Sequence, residues 1–473
     1  MRGGWGWRWG ACAALALAAC GGPVAEEEGH EGDWQGPSEV APLMKGADSE
    51  PAPVAAAASG GTRWSQTLDG VGKEFIAGLG HDSEGNVATA VNLAEASLSD
   101  AMLDGEGMLA SYEPDTFVVA KYGAAGERLW SLHLKGFAEA LTVDSRSHVI
   151  VTGRNPAGAD FGGGPLPAGR FILKLDGDGD FVWAHSLESL GVSSAFSLHR
   201  VDADRWGNLA LVGNLPDEAA GLVPALLKLG PDGDFLWLHT DTREGRARGV
   251  AADSEGHFYL TGYYFARQPG ETDYVPFLAK LDAAGNVLWE RTLDTEYGAT
   301  GGVAVHGNRV LMTGYFIKPV TFMGQTYRAQ GSWSDAFVAA FDREGNERWM
   351  RAFGFSGLDV SMDYDDGAVV VGRYEDGDDL GTGRLAGVPG VQANLFVAKL
   401  DRIDGSLRWV RSFPMNHPPN TDVSGDRYFV SSHVTTGECA VAGSRSSAMD
   451  LGAGMMAAPR GGKRDAFLGG FDP

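Results

Sequence analysis

Cysteine is nearly absent from this chain: its 473 residues contain three, at 12, 20 and 439. No disulfide framework can hold such a fold, and no Cys-x-x-Cys pair is available for a structural metal or for redox work. Positive charge is scarce as well. Lys and Arg total 38 against 62 Asp and Glu, a formal charge of −24. With no basic stripe to neutralise phosphates, nucleic acid is not an expected partner. Apolar residues at helical spacing are missing beyond the first segment, which leaves strands as the material of the fold. Signatures of chemistry are missing too. There is no Gly-x-Ser-x-Gly elbow and no His-Glu-x-x-His, and the eleven His residues show no ligand spacing. These absences favour a non-catalytic protein, while an active site assembled from distant loops stays open.

What the chain does have is a repeat. Trp64, Trp130, Trp183, Trp237, Trp289, Trp349 and Trp409 recur at intervals of 66, 53, 54, 52, 60 and 60 residues. Most follow the same phrase: an apolar strand, a short Asp/Gly turn, then a strand carrying the Trp. Self-similarity at this period marks a solenoid or propeller. The copy from Gly249 to Leu293 shows the unit in full. Gly249-Val-Ala-Ala is a short strand and Asp253-Ser-Glu-Gly256 a turn, with Gly supplying positive φ and Asp bonding the turn backbone. Phe258-Tyr-Leu-Thr-Gly-Tyr is a second strand, Phe277-Leu-Ala-Lys-Leu a third, and Val287-Leu-Trp-Glu-Arg-Thr-Leu a fourth. Four short antiparallel strands, rich in β-branched and aromatic residues, describe a propeller blade.

The two ends complete one blade between them. Asp465-Ala-Phe-Leu-Gly-Gly-Phe-Asp-Pro473 is a third strand with no fourth after it, and Thr62-Arg-Trp64-Ser-Gln-Thr-Leu68 is a fourth with no third before it. Their pairing removes a free sheet edge. The expected fold is therefore all-β: a seven-bladed β-propeller of four-stranded antiparallel blades over residues 62–473, closed by pairing of the N- and C-terminal strands. A residue present in every unit serves the fold, so the seven Trp are expected to wedge between blades, each burying roughly 150–250 Å².

The phrases Asp253-Ser-Glu-Gly-His-Phe-Tyr-Leu-Thr-Gly and Asp335-Ala-Phe-Val-Ala-Ala-Phe-Asp resemble the bacterial β-propeller repeats called SBBP repeats. The resemblance covers about residues 62–473 and implies a surface or secreted protein. More distantly, Leu400-Asp-Arg-Ile-Asp-Gly-Ser-Leu-Arg-Trp409 is similar to the Trp-docking motif of quinoprotein-like propellers.

Residues 1–19 read as a secretion signal, with Arg2 and Arg8 before the short apolar stretch Ala11 to Ala19, which is too short to span a bilayer. It ends Leu17-Ala-Ala-Cys20, which resembles the lipobox of bacterial lipoproteins. That resemblance implies cleavage before Cys20 and diacylglycerol on its sulfur, and Gly21 after it implies the outer membrane. Residues 20–61 then form an acidic, Ala/Pro-rich tether with too little apolar surface to order itself. Cys439 is left as a small structural residue at the start of a second strand.

Local candidates for binding are few. Asp176-Gly-Asp178-Gly-Asp180 places three carboxylates at alternate positions and has two readings, a Ca²⁺ site or a plain hairpin turn. Asp363, Asp365 and Asp366, and Asp376, Asp378 and Asp379, form further acidic clusters. Apart from calcium, no cofactor is expected. Lys121, Lys174, Lys228, Lys280 and Lys399 recur in third strands, where stems along apolar surface would carry the heads to water. Loop aromatics Tyr263, Tyr264, Phe265, Tyr315, Phe316, Tyr327 and Trp333 offer a surface that stacks sugars or anchors a peptide. The reading is a monomeric, lipid-anchored envelope propeller that binds a protein or glycan at one face. The alternatives are an envelope assembly component docking on membrane machinery, and a polysaccharide-acting or quinoprotein-like enzyme.

Overall fold

A computed structural model describes residues 60–68, 73–94, 116–268, 271–330, 334–388, 394–415, 427–459 and 464–473. The signal segment, Cys20 and Trp333 lie outside them, as does the tether up to Ser59. The described chain forms seven four-stranded antiparallel sheets and three two-stranded ribbons. A single 3₁₀ turn, Glu188–Leu190, is the helical content among the described residues. No helix there is long and apolar enough to cross a membrane.

Each sheet is a blade. The innermost strands are Lys73–His81, Phe137–Val143, Ser197–Ala203, Gly245–Ala252, Gly298–His306, Ser356–Met362 and Phe429–Ser432. Each contacts the innermost strand of the next blade, and the last contacts the first, so the ring is closed around a channel. In blade 7 the order is Thr62–Leu68, Asp465–Phe471, Cys439–Arg445, Phe429–Ser432. The outermost strand thus comes from the beginning of the chain, with Ser65 opposite Gly469 and Leu68 opposite Ala466. This is the expected closure.

The seven repeat Trp are on outermost strands, and six of them reach the outer hairpin of the following blade. The indole N–H of Trp64, Trp130, Trp183, Trp237, Trp289 and Trp349 donates to the carbonyl of Ala124, Gly177, Pro231, Ala283, Arg343 and Arg402 respectively, at 2.9–3.2 Å. The ring covers the hairpin glycine. Gly345 has φ 79°, and a Cβ there would lie 2.9 Å from Trp289. Gly60 does the same for Trp409, at φ 88° and 2.7 Å, so a residue just ahead of the N-terminal strand seats the last indole. Trp64, Trp349 and Trp409 are buried, and the other four keep part of the ring exposed.

The lysines differ from expectation. Lys121, Lys174, Lys228, Lys280 and Lys399 are only 3–7 % exposed. Each is directly cross-strand from a Trp, as in Lys121 opposite Trp130. The ammonium groups of Lys121, Lys174, Lys228 and Lys280 donate to the same hairpin carbonyls as the indoles. On the other side three lysines meet the buried aspartate of their own blade's inner hairpin, Lys121 to Asp82 at 2.8 Å, Lys174 to Asp144 at 2.9 Å and Lys399 to Asp363 at 2.5 Å, whereas Lys228 lies over the Phe258 ring with no carboxylate in ion-pairing distance among the described residues. Lys280 is farther from Asp253, at 3.9 Å. These aspartates also accept turn amides two and four residues on, as Asp144 does from Arg146 and His148. Where the lysine is missing, so is the aspartate: Ala340 accompanies Gly307, and Gly470 accompanies His433. Losing both together avoids leaving one buried charge unpaired.

Cys439 is buried as expected, and burial pushes its thiol up to about 12. Such a group is an inert packing residue at neutral pH.

Two outcomes follow from this node. Trp349→Ala should cost on the order of 3–5 kcal/mol, and Trp349→Phe only about 1–2 kcal/mol through the lost N–H bond; an unchanged melting temperature in both would refute the docking. Lys174→Met should cost about 3–5 kcal/mol by stranding Asp144, and adding Asp144→Asn should recover part of it. Burial disfavours ionisation of Asp82, Asp144 and Asp253, yet their partners outweigh it and hold all three below the usual carboxylate range. Their stabilisation is complete above about pH 4 and is lost as pH falls toward the folded values. Acid titration of the melting temperature should show that loss.

Candidate functional site: the central channel

An innermost strand pairs on one side only, so its other edge faces the channel with open amides. Buried amides need partners. Here polar side chains of one blade supply them to the next. Asp202 Oδ2 accepts the Ala252 amide at 2.8 Å, and Asp359 Oδ2 accepts that of Val430 at 3.2 Å. Ser361 Oγ accepts the Ser432 amide at 2.9 Å, and Ser431 Oγ that of His81 at 3.2 Å. Asn92 and Asn214, on second strands, do the same for Ala138 and Ala247. Much of the channel's polarity is thus a device for joining blades.

At the mouth beside the inner hairpins, the channel widens into a cavity of about 320 Å³. Its floor is Arg200, which reaches Asp359 at 3.8 Å and lies over the Phe429 ring at 4.3 Å. Thr142, Asp202, Ser361, Ser431, His81 and His306 give it polar walls. The Ser431 hydroxyl is 3.0 Å from His81 Nδ1, the contact a nucleophile and base would make. Burial and the neighbouring His433 push the His81 imidazole down to about 3. That leaves a weak base, and Ser431 Oγ is already committed to an amide. The pair is poorly suited to nucleophilic catalysis at neutral pH.

The opposite mouth, where innermost strands begin and the long loops emerge, has a different character. The pairing of innermost with second strands shifts register near this end in six blades. Such bulges re-aim a side chain. The extra residues in blades 2, 3 and 4 are Glu139, His199 and Arg248. Around them stand Arg154, Arg170, Arg246 and Arg427. Glu139 pairs with Arg154 at 3.0 Å and Arg170 at 3.4 Å, and its backbone carbonyl accepts from Arg427 at 3.1 Å. Among the described residues no carboxylate lies within ion-pairing distance of Arg246, Arg248 or Arg427. Crowding shows in the titration. Its place within the channel mouth, with Arg200 and Arg248 beside it, holds Arg427 below its ordinary value, although the residue itself is exposed. His199 is held well below its ordinary value by burial and by Arg248, Arg427 and Arg246, and its Nε2 lies 2.8 Å from the Asn214 amide nitrogen. It is a neutral imidazole accepting a hydrogen bond.

Aromatic residues border this mouth. Tyr263, Phe265 and Tyr274 meet edge to face at 5.3–5.6 Å, and Tyr297 joins Tyr274 at 4.7 Å. Tyr315 is beside Tyr263 and Tyr297, and burial with these neighbours pushes its phenol up to about 12. Arg248 lies over the Tyr263 ring and donates to its hydroxyl at 3.1 Å, while Arg246 lies over Phe265.

The sequence candidates therefore separate. Tyr263, Phe265 and Tyr315 come together at the mouth, with Tyr274 and Tyr297, which sequence reading had missed. Tyr264 points to the other face of its sheet, stacked on Phe277 at 4.3 Å and bonded to Asp241 and Glu290. Phe316 is fully buried in the core, and Tyr327 packs against that core with its hydroxyl on the Met350 carbonyl. Asp176 accepts the amides of Asp178 and Asp180, the same turn chemistry as Asp282 and Asp342 in other blades. Among the described residues no group of three or more His, Cys, Asp or Glu is placed to hold a metal ion. Asp363, Asp365 and Asp366 pair separately with Lys399, Arg408 and His306. Asp379 is a loop device: with Asp160 and Asp450 it accepts amides from glycines two and four residues on. Leu380, Phe161 and Leu451 beside them plug into the core.

No family model matches the chain, and no curated protein matches it. The structure is similar to the Neurospora crassa Pan2 WD40 domain, with a TM-score of 0.46 and 9% identity over 89% of this chain and 97% of that one. It is similar to the Dos1 propeller, at TM-score 0.43 and 9% identity over 87% and 94% of the two chains. The polysaccharide lyase Uly1 gives 0.46 and 9% over 87% and 99%. Each likeness is one of fold.

Asp202 supplies a test of the channel's electrostatics. Burial pushes its carboxyl up to about 6, against 3.8 when unfolded. The folded state therefore holds the proton longer, and this group's contribution to stability falls as pH rises from about 4 to 6. Asp202→Asn does not ionise. The melting temperature of the variant relative to wild type should rise by a few degrees between pH 4.5 and 7; a constant difference would contradict the assignment.

Proposed function

We propose that this protein is a cell-envelope binding scaffold, held on a membrane by lipid at Cys20, whose propeller takes a protein or glycan ligand at the loop-side mouth and does not transform it. The observation that carries the reading is the meeting of half-buried guanidinium groups with an aromatic wall at that mouth. Flat rings and stacked arginines make contact area at low conformational cost, which is how binding surfaces are commonly built. The Leu17-Ala-Ala-Cys20 segment and the resemblance to SBBP repeats support the envelope address. Two acyl chains suffice for stable residence on a bilayer.

Two measurements test this. Cys20→Ala should move the protein from the membrane fraction to the soluble extract; continued membrane residence would remove the anchor. A photo-crosslinking residue at Phe265 should give a defined adduct in the native envelope. The same residue at Leu288, an exposed position on the outermost strand of blade 4, should not. Equal labelling at the two positions would overturn the mouth as the binding site.

A further inference from the structure

We infer that the ligand of the loop-side mouth is a carboxylate-bearing saccharide, its carboxylate held by Arg246, Arg248 and Arg427 and its ring set against Phe265. This rests on the binding role proposed above and specifies the ligand. The first observation is one of charge. The chain carries 62 acidic against 38 basic residues, and several arginines elsewhere are matched by carboxylates. Arg243 meets Asp241 and Glu290, and Arg343 meets Glu255. At the mouth three neighbouring arginines stand with no carboxylate within ion-pairing distance among the described residues, two of them against aromatic rings. Glu139 is engaged by Arg154 and Arg170, so it does not answer them.

The second observation is one of geometry. Arg248 and Arg246 lie over aromatic rings, at 5.4 and 5.0 Å from the centroids of Tyr263 and Phe265. Beyond the N–H groups given to the Tyr263 hydroxyl and the Gly245 carbonyl, both guanidiniums keep further N–H groups, and a guanidinium fork matches the two oxygens of a carboxylate. Phe265, which is only partly buried, presents an apolar ring to the same space, with the buried Tyr263 behind it. An anion carried on a flat, partly apolar body fits both features, and a uronic acid is such a body. His199, kept neutral and accepting at Nε2, carries its proton on Nδ1 and can donate it to a sugar oxygen.

The test is calorimetric titration of the full chain with an oligogalacturonate, beside the same oligomer fully methyl-esterified. The acid should bind and the ester should bind at least about tenfold more weakly, a difference of about 1.4 kcal/mol. Arg248→Gln and Arg427→Gln should each weaken the acid about tenfold or more, in proteins whose melting temperature is unchanged. Arg128→Gln, an exposed charge on an outermost strand, should not. Equal affinity for acid and ester, tighter binding of a sugar phosphate than of the acid, or indifference to Arg248→Gln and Arg427→Gln together would overturn the inference. A defined adduct at Phe265 with no binding of the oligogalacturonate would also overturn it and leave the scaffold role standing. Failure of the adduct as well would remove both.

Discussion

One hydrogen bond, repeated around the ring, governs this molecule: an indole N–H on the rim of one blade donates to a hairpin carbonyl of the next. Its geometry dictates the residues around it. The ring lies over the hairpin, so the turn must have a glycine there for lack of space as well as for positive φ. The carbonyl has a second lone pair, and the buried lysine uses it. The lysine then requires an aspartate. Trp, Gly, Lys and Asp therefore behave as one unit spread over three hairpin positions and two blades. The closure of the ring keeps only half of this rule: Gly60 lies against Trp409 from just ahead of the N-terminal strand, but the Trp409 indole N–H is buried without a hydrogen-bond partner.

The inner edge of each blade poses the opposite problem. At the rim, hydrogen bonds are made by docking; along the channel, amides would be left open. Asp202, Asp359, Ser361 and Ser431 answer them across blade boundaries. Polar residues in a channel invite a catalytic reading. In this channel they are largely consumed by backbone, and burial has moved His81 and Asp202 away from their ordinary values because few charged partners attend them. The loop-side mouth is where side chains are released from that duty, since a bulge adds a residue that no neighbouring amide claims.

The propeller was legible in the sequence because its cues are local. Alternating strands, Asp/Gly turns and the Trp spacing each occupy a few residues, and the split blade follows from counting strands. What escaped was long-range. Lysine as a residue type suggests exposure, although Ala340 with Gly307 and Gly470 with His433 already recorded a shared loss. Tyr263 and Tyr264 are adjacent in the chain, yet neighbours on a strand face opposite sides, and the pleat sends one to the mouth and the other to Phe277. Tyr274 and Tyr297 come from separate elements that only the fold unites. Bulges leave almost no trace in periodicity. A lone Glu139 within the largely apolar strand Phe137–Val143 was the available signal.

An acidic protein that receives an acidic ligand looks self-defeating until distance is considered. At physiological ionic strength a field fades over about 8 Å. The carboxylates spread over the outer blades are largely screened from a ligand on the channel axis, whereas the guanidiniums at the mouth are within contact range. Local composition then decides. Glu139 offsets one of the two charges of Arg154 and Arg170, which eases the crowding of five arginines in a small space. A protonated His199 would undo that balance, and the same arginines keep it neutral. The remaining positive charge is concentrated on Arg246, Arg248 and Arg427, against the aromatic wall. A second anion there lowers the energy of the cluster, and its binding should therefore draw on relief of repulsion between arginines as well as on the contacts it makes.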